Sequence, residues 1–191
     1  MIKFNPEKLF FTSDLHLSHK NYCKGVSNWP DTARCRDFNT LEEMNYTIIK
    51  SINDTVPEDG VLINCGDILF GDKTKLPNFL AQINCKTHYY LRGNHCEWFD
   101  RYPGRELFTW FGDYLEFEVD KKLVCCFHYA CRVWNQSHKG SYQILGHSHG
   151  SLPLVGRQLD VGWDVWKKPI SFKEVDQILS KVPINKVDHH V

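Results

Sequence analysis

The chain has no net charge, because 23 Lys plus Arg balance 23 Asp plus Glu. It therefore lacks an overall field that would attract long polyanions or an anionic lipid surface, and only a local basic pocket is compatible with that balance. It also lacks any run of the roughly 18–20 consecutive apolar residues that a membrane-spanning helix needs. The opening MIKFNPEKLFF has no basic region, apolar core or small-residue cleavage site of a secretory signal. The expectation is a cytoplasmic protein with no membrane partner; nucleic acid stays open as a partner but is not indicated by the charge. No internal repeat, low-complexity tract or Gly/Ser linker interrupts the 191 residues, so one domain is expected over 1–191, with a core from about 8 to 182 and a short polar tail.

The cysteines do not have the spacing of a staple. Cys23, Cys35, Cys65, Cys85, Cys96, Cys125, Cys126 and Cys131 include no Cys-x-x-Cys pair, and the chain has enough apolar residues, 42%, to build a core without disulfides. Most of them should be reduced, buried and inert. Ten histidines are the more telling feature, because several stand where apolar runs end.

Helix signals are clear at two places. Thr40-Leu41-Glu42-Glu43 reads as a capping box that opens an apolar stripe at Leu41, Met44, Ile48, Ile49 and Ile52. Ser171-Phe172-Lys173-Glu174 repeats the device, with Phe172, Val175, Ile178, Leu179 and Val182 following and Pro183 as the stop. A weaker helix is expected from Lys75 to Ile83 after Thr74, with Pro77 tolerated in its first turn.

Five short apolar runs read as strands: Leu9 to Thr12, Val61 to Cys65, Thr87 to Leu91, Leu123 to Phe127 and Tyr142 to Leu145. Each gives way to polar groups. Asp14-Leu15-His16 follows the first, Gly66-Asp67 the second, Gly93-Asn94-His95 the third, His128 the fourth and Gly146-His147-Ser148-His149 the fifth. Open α/β sheets place ligand sites at the carboxyl ends of their strands, so these groups should converge.

Asp14, His16, Asp67, Asn94, His128, His147 and His149 form a donor set of oxygen and imidazole without thiolate, which suits Mn, Fe, Zn, Ni or Co. Seven ligands exceed one tetrahedral structural site and are about right for two divalent ions that share a bridging carboxylate. Two such ions could clamp a phosphoryl group and lower the pKa of bound water, which favours hydrolysis. Alternation in extended backbone would turn Asp14 and His16 to one side, and likewise His147 and His149. The glycines before Asp67, Asn94 and His147 fit tight turns beside a ligand.

The ordered blocks Asp-x-His, Gly-Asp, Gly-Asn-His, His and Gly-His-x-His, running from Asp14 to His149, resemble the calcineurin-like metallophosphoesterase superfamily, in particular its small bacterial and phage-type members. The resemblance implies an α/β (α+β) fold, a four-layer αββα sandwich in which two mixed β-sheets are flanked by helices. It implies that Asp14, His16, Asp67 and His149 hold one metal and that Asp67, Asn94, His128 and His147 hold the other, with Asp67 bridging. It further implies that His95 faces the phosphate rather than a metal, stabilising charge or protonating the leaving oxygen. One position departs from the pattern, since the family commonly has Asp or Glu after Gly-Asn-His and this chain has Cys96. Either Glu97 or another carboxylate substitutes, or His95 acts more as a hydrogen-bond donor than as an acid.

Around this set, His19 and Asn21 lie close enough in sequence to contribute to a substrate pocket, and Arg92 could offer phosphate a bidentate contact or form a salt bridge. The expected function is hydrolysis of a small phosphodiester, such as a cyclic nucleotide, a nucleotide derivative or a nucleic-acid end, by a metal-bridging hydroxide. The alternatives are a phosphomonoesterase or nucleotidase, a nuclease on long nucleic acid, and a non-catalytic scaffold of the same fold. The remaining features read as structural. Lys121-Lys122 suits a hairpin tip, Cys125 and Cys126 suit packing, and His189-His190 suits a solvated tail. The tryptophans read as packing, with Trp98 and Trp134 the ones nearest the histidine blocks, and Asp160 or Asp164 could support a ligand imidazole.

Overall fold

A computed structural model describes residues 2–96 and 105–186. The five expected strands form, and four further ones join them, three of them only two or three residues long. Strand β1 (Leu9–Thr12) pairs in parallel with β2 (Val61–Asn64), which pairs in parallel with β3 (Thr87–Leu91) and, through it, β4 (Trp110–Gly112). The two-residue β9 (Ile170–Ser171) lies antiparallel on the other side of β1, giving the order β4-β3-β2-β1-β9. A second sheet runs β5 (Tyr114–Val119), β6 (Lys122–Phe127), β7 (Tyr142–Leu145) and β8 (Gln158–Asp160), antiparallel at its first pair and parallel thereafter. Two mixed sheets with flanking helices result.

Alternation along the strands divides the core in two. Phe10, Leu62 and Tyr90 face helices α1 (Leu41–Thr55) and α2 (Leu76–Ala81), while Leu9, Phe11, Ile63 and Leu91 face the second sheet and meet Phe117, Val124, Cys126 and Ile144. Both faces of the first sheet are thus covered, which is why its strands read as unbroken apolar runs. After the single turn α3 (Trp163–Trp166), helix α4 (Phe172–Leu179) adds Phe172, Val175 and Leu179 to the core between the sheets. The outer face of the second sheet carries Gln143 and Gln158, whose amides are bonded to the backbone of Tyr129 and Cys131. All eight cysteines are free, and six are buried. Among the described residues no helix is long and apolar enough to cross a membrane.

Local chemistry explains where the elements depart from the sequence reading. The Thr40 hydroxyl accepts from Glu43 N–H at 3.1 Å, but the Glu43 carboxylate reaches back to Asn39 N–H, so the box closes one residue early. The second box is complete, with Ser171 and Glu174 bonded reciprocally, yet α4 ends at Leu179, before Val182 and Pro183. The expected Lys75–Ile83 helix is shorter, because Asp72 rather than Thr74 caps a preceding tight turn. At the hairpin tip the left-handed pair is Asp120-Lys121, with φ of 48° and 61°, whereas Lys122 is already in β6 and reaches Asp176 at 3.0 Å. Strands β4, β8 and β9 are two or three residues long, too short to register as apolar periodicity.

Ser171→Ala removes the hydroxyl half of the α4 box. We expect a loss of about 1 kcal/mol, or roughly 2–4 °C in melting temperature for a chain of this size, with the urea midpoint lowered and the slope unchanged.

Candidate metal centre

The segments leaving β1, β2, β3, β6 and β7 at their carboxyl ends lie side by side, and backbone bonds tie them together. Asp14 N–H donates to Gly66 O at 2.9 Å, His16 N–H to Asp67 O at 3.0 Å, and Gly146 N–H to His128 O at 3.0 Å. The chain bends by entering the left-handed region at the polar residues themselves: φ is 54° at Asp14, 47° at His16, 53° at Asp67, 68° at His147 and 48° at His149. Side-chain alternation in extended backbone is therefore not what pairs Asp14 with His16 or His147 with His149. Each such residue costs of order 1–3 kcal/mol and persists only where its surroundings hold it. The glycines also differ in kind. Gly66 does take a positive φ, of 120°, but Gly93 and Gly146 are needed for space: a Cβ on Gly93 would lie 2.1 Å from Asp67 Oδ1, and one on Gly146 would lie 1.9 Å from Ser13 Oγ.

Two groups of ligand-type atoms form, each within 4.8 Å: Asp14, His16 and His149, and Asp14, Asp67 and His128. Asp14 belongs to both, whereas the family resemblance makes Asp67 the shared carboxylate. Asn94 and His147 complete the set from the exposed side, with Asn94 Oδ1 at 3.0 Å from His128 Nε2 and 2.9 Å from His147 Nδ1. All seven residues come together.

The partners fix the imidazoles. His128 Nδ1 lies 2.7 Å from the Cys65 carbonyl, which can only accept, so Nδ1 carries a proton and Nε2 is the nitrogen that faces Asp67 and Asn94. His88 also rests on a carbonyl, that of Cys85 at 2.7 Å, with the Cys85 thiol 4.0 Å away, but among the described residues it belongs to no group of three ligand-type side chains; it is an ordinary buried histidine. In His149, Nδ1 lies 2.7 Å from Asp164 Oδ2 and Nε2 is left 3.7 Å from Asp14 Oδ1. Of the two acids considered from sequence, Asp164 thus meets a ligand-type imidazole, while Asp160 accepts from the backbone of Gly150 and Gly162.

Electrostatically the site is unfinished. Asp14 is fully buried and its Oδ1 has no hydrogen-bond partner; burial pushes its carboxyl pKa up against the pull of His128 and His149. Burial also drives the His16 imidazole well below its usual range, and its Nδ1 is likewise unpartnered. Burial would raise Asp67 too, but its bond to His128 and that imidazolium hold it near 2. A cation would satisfy the Asp14 oxygen, and the donor chemistry of the cluster fits a divalent metal.

His95 donates its backbone N–H to Asp67 Oδ1 at 3.0 Å, and its ring centre is 5.5 Å from that of His16 and 5.2 Å from Phe70. Cys96 turns inward, fully buried: its Sγ is 2.7 Å from the Tyr90 hydroxyl and 3.6 Å from Asp67 Oδ1, so it supports the carboxylate; Glu97 and Trp98 lie outside the described residues. His19 is buried, stacked on Phe70 with centroids 3.9 Å apart and 5.6 Å from His16; burial, then the nearby His95, lowers its pKa to about 4. The Asn21 side-chain oxygen accepts from Asn28 N–H, and Arg92 pairs with Asp113 at 2.9 Å beside the Phe111 ring. The Trp134 indole donates to the Ser141 carbonyl.

Two contributions escaped the sequence reading. Trp29, 39% exposed, stands edge-on to His19 and Tyr22, and with Phe70 gives the site an aromatic rim. Arg36 is the larger omission. Its buried guanidinium binds both oxygens of Asp164 at 2.8 and 2.9 Å, donates to the carbonyls of Asp14 and Leu15, and lies between the rings of Tyr22 and Trp163. It holds the strained Asp14 turn and the acid behind His149 with one side chain. No motif marks it, since Arg34-Cys35-Arg36-Asp37 reads as a solvated charged stretch.

A model of the family described as calcineurin-like phosphoesterase matches residues 7–191. Over 89 residues the chain is 30% identical to the uncharacterized protein MJ1445 of Methanocaldococcus jannaschii, a match covering 46% of this chain and 46% of that protein. The match therefore spans just under half of that relative's length. Among solved structures, the protein of unknown function AQ665 from Aquifex aeolicus aligns with a TM-score of 0.64 at 18% identity, covering 89% of this chain and 98% of that one, which shows a shared fold. Yfce, a phosphoesterase from E. coli, aligns with a TM-score of 0.42 at 16% identity, over 81% of this chain and 77% of that one.

Arg36→Ala leaves Asp164 and two buried carbonyls without their donor. We expect a loss of about 3–5 kcal/mol in urea unfolding, with the double change Arg36→Met, Asp164→Asn recovering part of it because no buried charge then stands alone.

Proposed function

Because the chain belongs to the calcineurin-like phosphoesterase family, we propose that it is a phosphodiesterase that works with two divalent cations. The observation that carries this reading is the buried, unpartnered Asp14 Oδ1 lying among His16, His149, Asp67 and His128. Such an atom is costly to keep without a cation, and it belongs to a set of seven donor residues of the appropriate chemistry. One group would use Asp14, His16 and His149, and the other Asp67, Asn94, His128 and His147, with a carboxylate of Asp14 or Asp67 shared between them. Mn, Fe, Zn, Ni or Co at these positions would supply Lewis acidity and a water of lowered pKa.

The chain's own residues do the rest. The Cys65 carbonyl and Asp164 keep the proton on Nδ1 of His128 and His149 and leave Nε2 for the metal. The backbone bond from His95 to Asp67 sets the imidazole beside the donor groups and on the exposed side, where it would donate to the leaving oxygen. Support for a diester comes from the open side of the site. Asn94, His95 and His147 are exposed, and the rim residues Trp29 and Phe70 offer apolar surface to a second ester group.

Metal-stripped protein supplied with Mn, Ni, Zn, Fe or Co should take up about two ions per chain and melt several degrees higher. It should then hydrolyse bis-p-nitrophenyl phosphate faster than p-nitrophenyl phosphate; the reverse order would make it a monoesterase. Asp67→Asn should lose metal and turnover together. His95→Ala should keep metal and lose about 10²–10⁴ in rate on a poor leaving group. Fewer than one ion per chain under every condition sinks the proposal.

A further inference from the structure

A cavity of about 770 Å³ opens directly beside His147 and His149. It falls within the roughly 300–1,000 Å³ of small-molecule sites, and a reacting phosphoryl group alone would fill little of it. The character of its wall follows from which charges are already spent. Arg36 is consumed by Asp164, and Asp37 at the rim is paired with Lys24 at 3.1 Å. Among the described residues the further cations on its wall are Arg34, which is exposed, and Lys167, whose side chain is 61% exposed and shares Asp164 with Arg36, so that two cations meet this one carboxylate. In a chain with no net charge this is a local positive surface in a concavity, where the field on an anion is concentrated.

The distance from this surface to the ligand-type atoms is short. Lys167 Nζ is 3.6 Å from Asp164 Oδ1, and Asp164 Oδ2 is 2.7 Å from His149 Nδ1. The Lys167 ammonium is therefore one carboxylate away from a donor of the site. Its position is built in rather than incidental: Lys167 closes α3 with φ of 57°, donates its backbone N–H to Trp163 O at 2.7 Å and lays its ammonium 4.9 Å from the centre of the Trp163 ring. A left-handed lysine costs free energy that Gly or Asn would avoid at this helix end.

We infer that this cavity is a specificity pocket for the part of the substrate retained after cleavage, and that it selects phosphodiesters carrying a second anionic group, as in a nucleoside bisphosphate. The inference rests on the phosphodiesterase reading and deepens it by naming a substrate class. Arg34 and Lys167 would hold the second anion while the diester lies at the histidine cluster, and Ser148 and Ser151 also line the cavity.

Thymidine 5′-(p-nitrophenyl phosphate) and the same diester bearing a 3′-phosphate provide the matched pair. The metal-loaded parent should prefer the 3′-phosphorylated diester in kcat/KM. Lys167→Asn, which suits the left-handed backbone, and Arg34→Gln should each lower that preference about tenfold, chiefly through KM, whereas Lys121→Ala in the distant hairpin turn should preserve it. A parent without preference, or variants that retain it, would overturn the pocket assignment. Calorimetric binding of thymidine 3′,5′-bisphosphate against thymidine 5′-monophosphate separates the two proposals. If neither diester is cleaved, the phosphodiesterase reading fails, and the pocket still stands if the bisphosphate binds more tightly and Lys167→Asn weakens it about tenfold. Equal binding of both nucleotides removes the pocket.

Discussion

A carboxylate held entirely out of water, that of Asp14, is the constraint around which the loops at the sheet ends are organised. Its Oδ2 accepts the His147 N–H at 2.9 Å and its Oδ1 accepts nothing. Burial of a charge on these terms is unfavourable in isolation, and the imidazoles of His128 and His149 only partly offset it. The balance makes sense for a protein whose stable state includes bound cations, because the free energy of binding is then added to that of folding. The same arrangement leaves the metal-free chain carrying five left-handed polar residues and an incomplete charge network in one place.

Arg36 shows how that strain is contained. A buried guanidinium has five donors to satisfy, and here four bonds run to two backbone carbonyls of the Asp14 turn and both oxygens of Asp164. One side chain thereby couples the loop after β1 to the turn α3 and, through Asp164, to His149 at the end of β7. The rings of Tyr22 and Trp163 confine it further. This coupling explains why the carboxyl ends of two separate sheets can present donors within a few ångströms of each other although, among the described residues, the sheets share no hydrogen-bonded strand pair.

The legible parts of this molecule are those where local chemistry and burial agree. The strands Leu9–Thr12, Thr87–Leu91 and Tyr142–Leu145 appear as the apolar runs suggest, since both faces of each are covered. The Ser171 box opens α4 as expected, because its two bonds are made within four residues. The ordered polar blocks placed the candidate donors at strand ends, where the polar residues begin. Where a partner from elsewhere decides, the reading falls short. Asp72 displaced Thr74 as a cap, Glu43 reached Asn39, and β9 exists only because β1 offers an edge to Ile170–Ser171.

By itself the sequence determined the donor inventory, the strands that carry it and the family to which the chain belongs, because these depend on residue order and short-range periodicity. Tertiary structure alone decided which imidazole nitrogen faces the cluster, that Cys96 lies against Asp67, that Arg36 clamps the site, and that Arg34 and Lys167 share a cavity. Residues 34 and 167 are separated by more than a hundred positions, and no local preference of the chain links them. Hydrogen-bond direction, burial of charge and close approach are properties of a space enclosed by distant segments, and they come into being only when those segments meet.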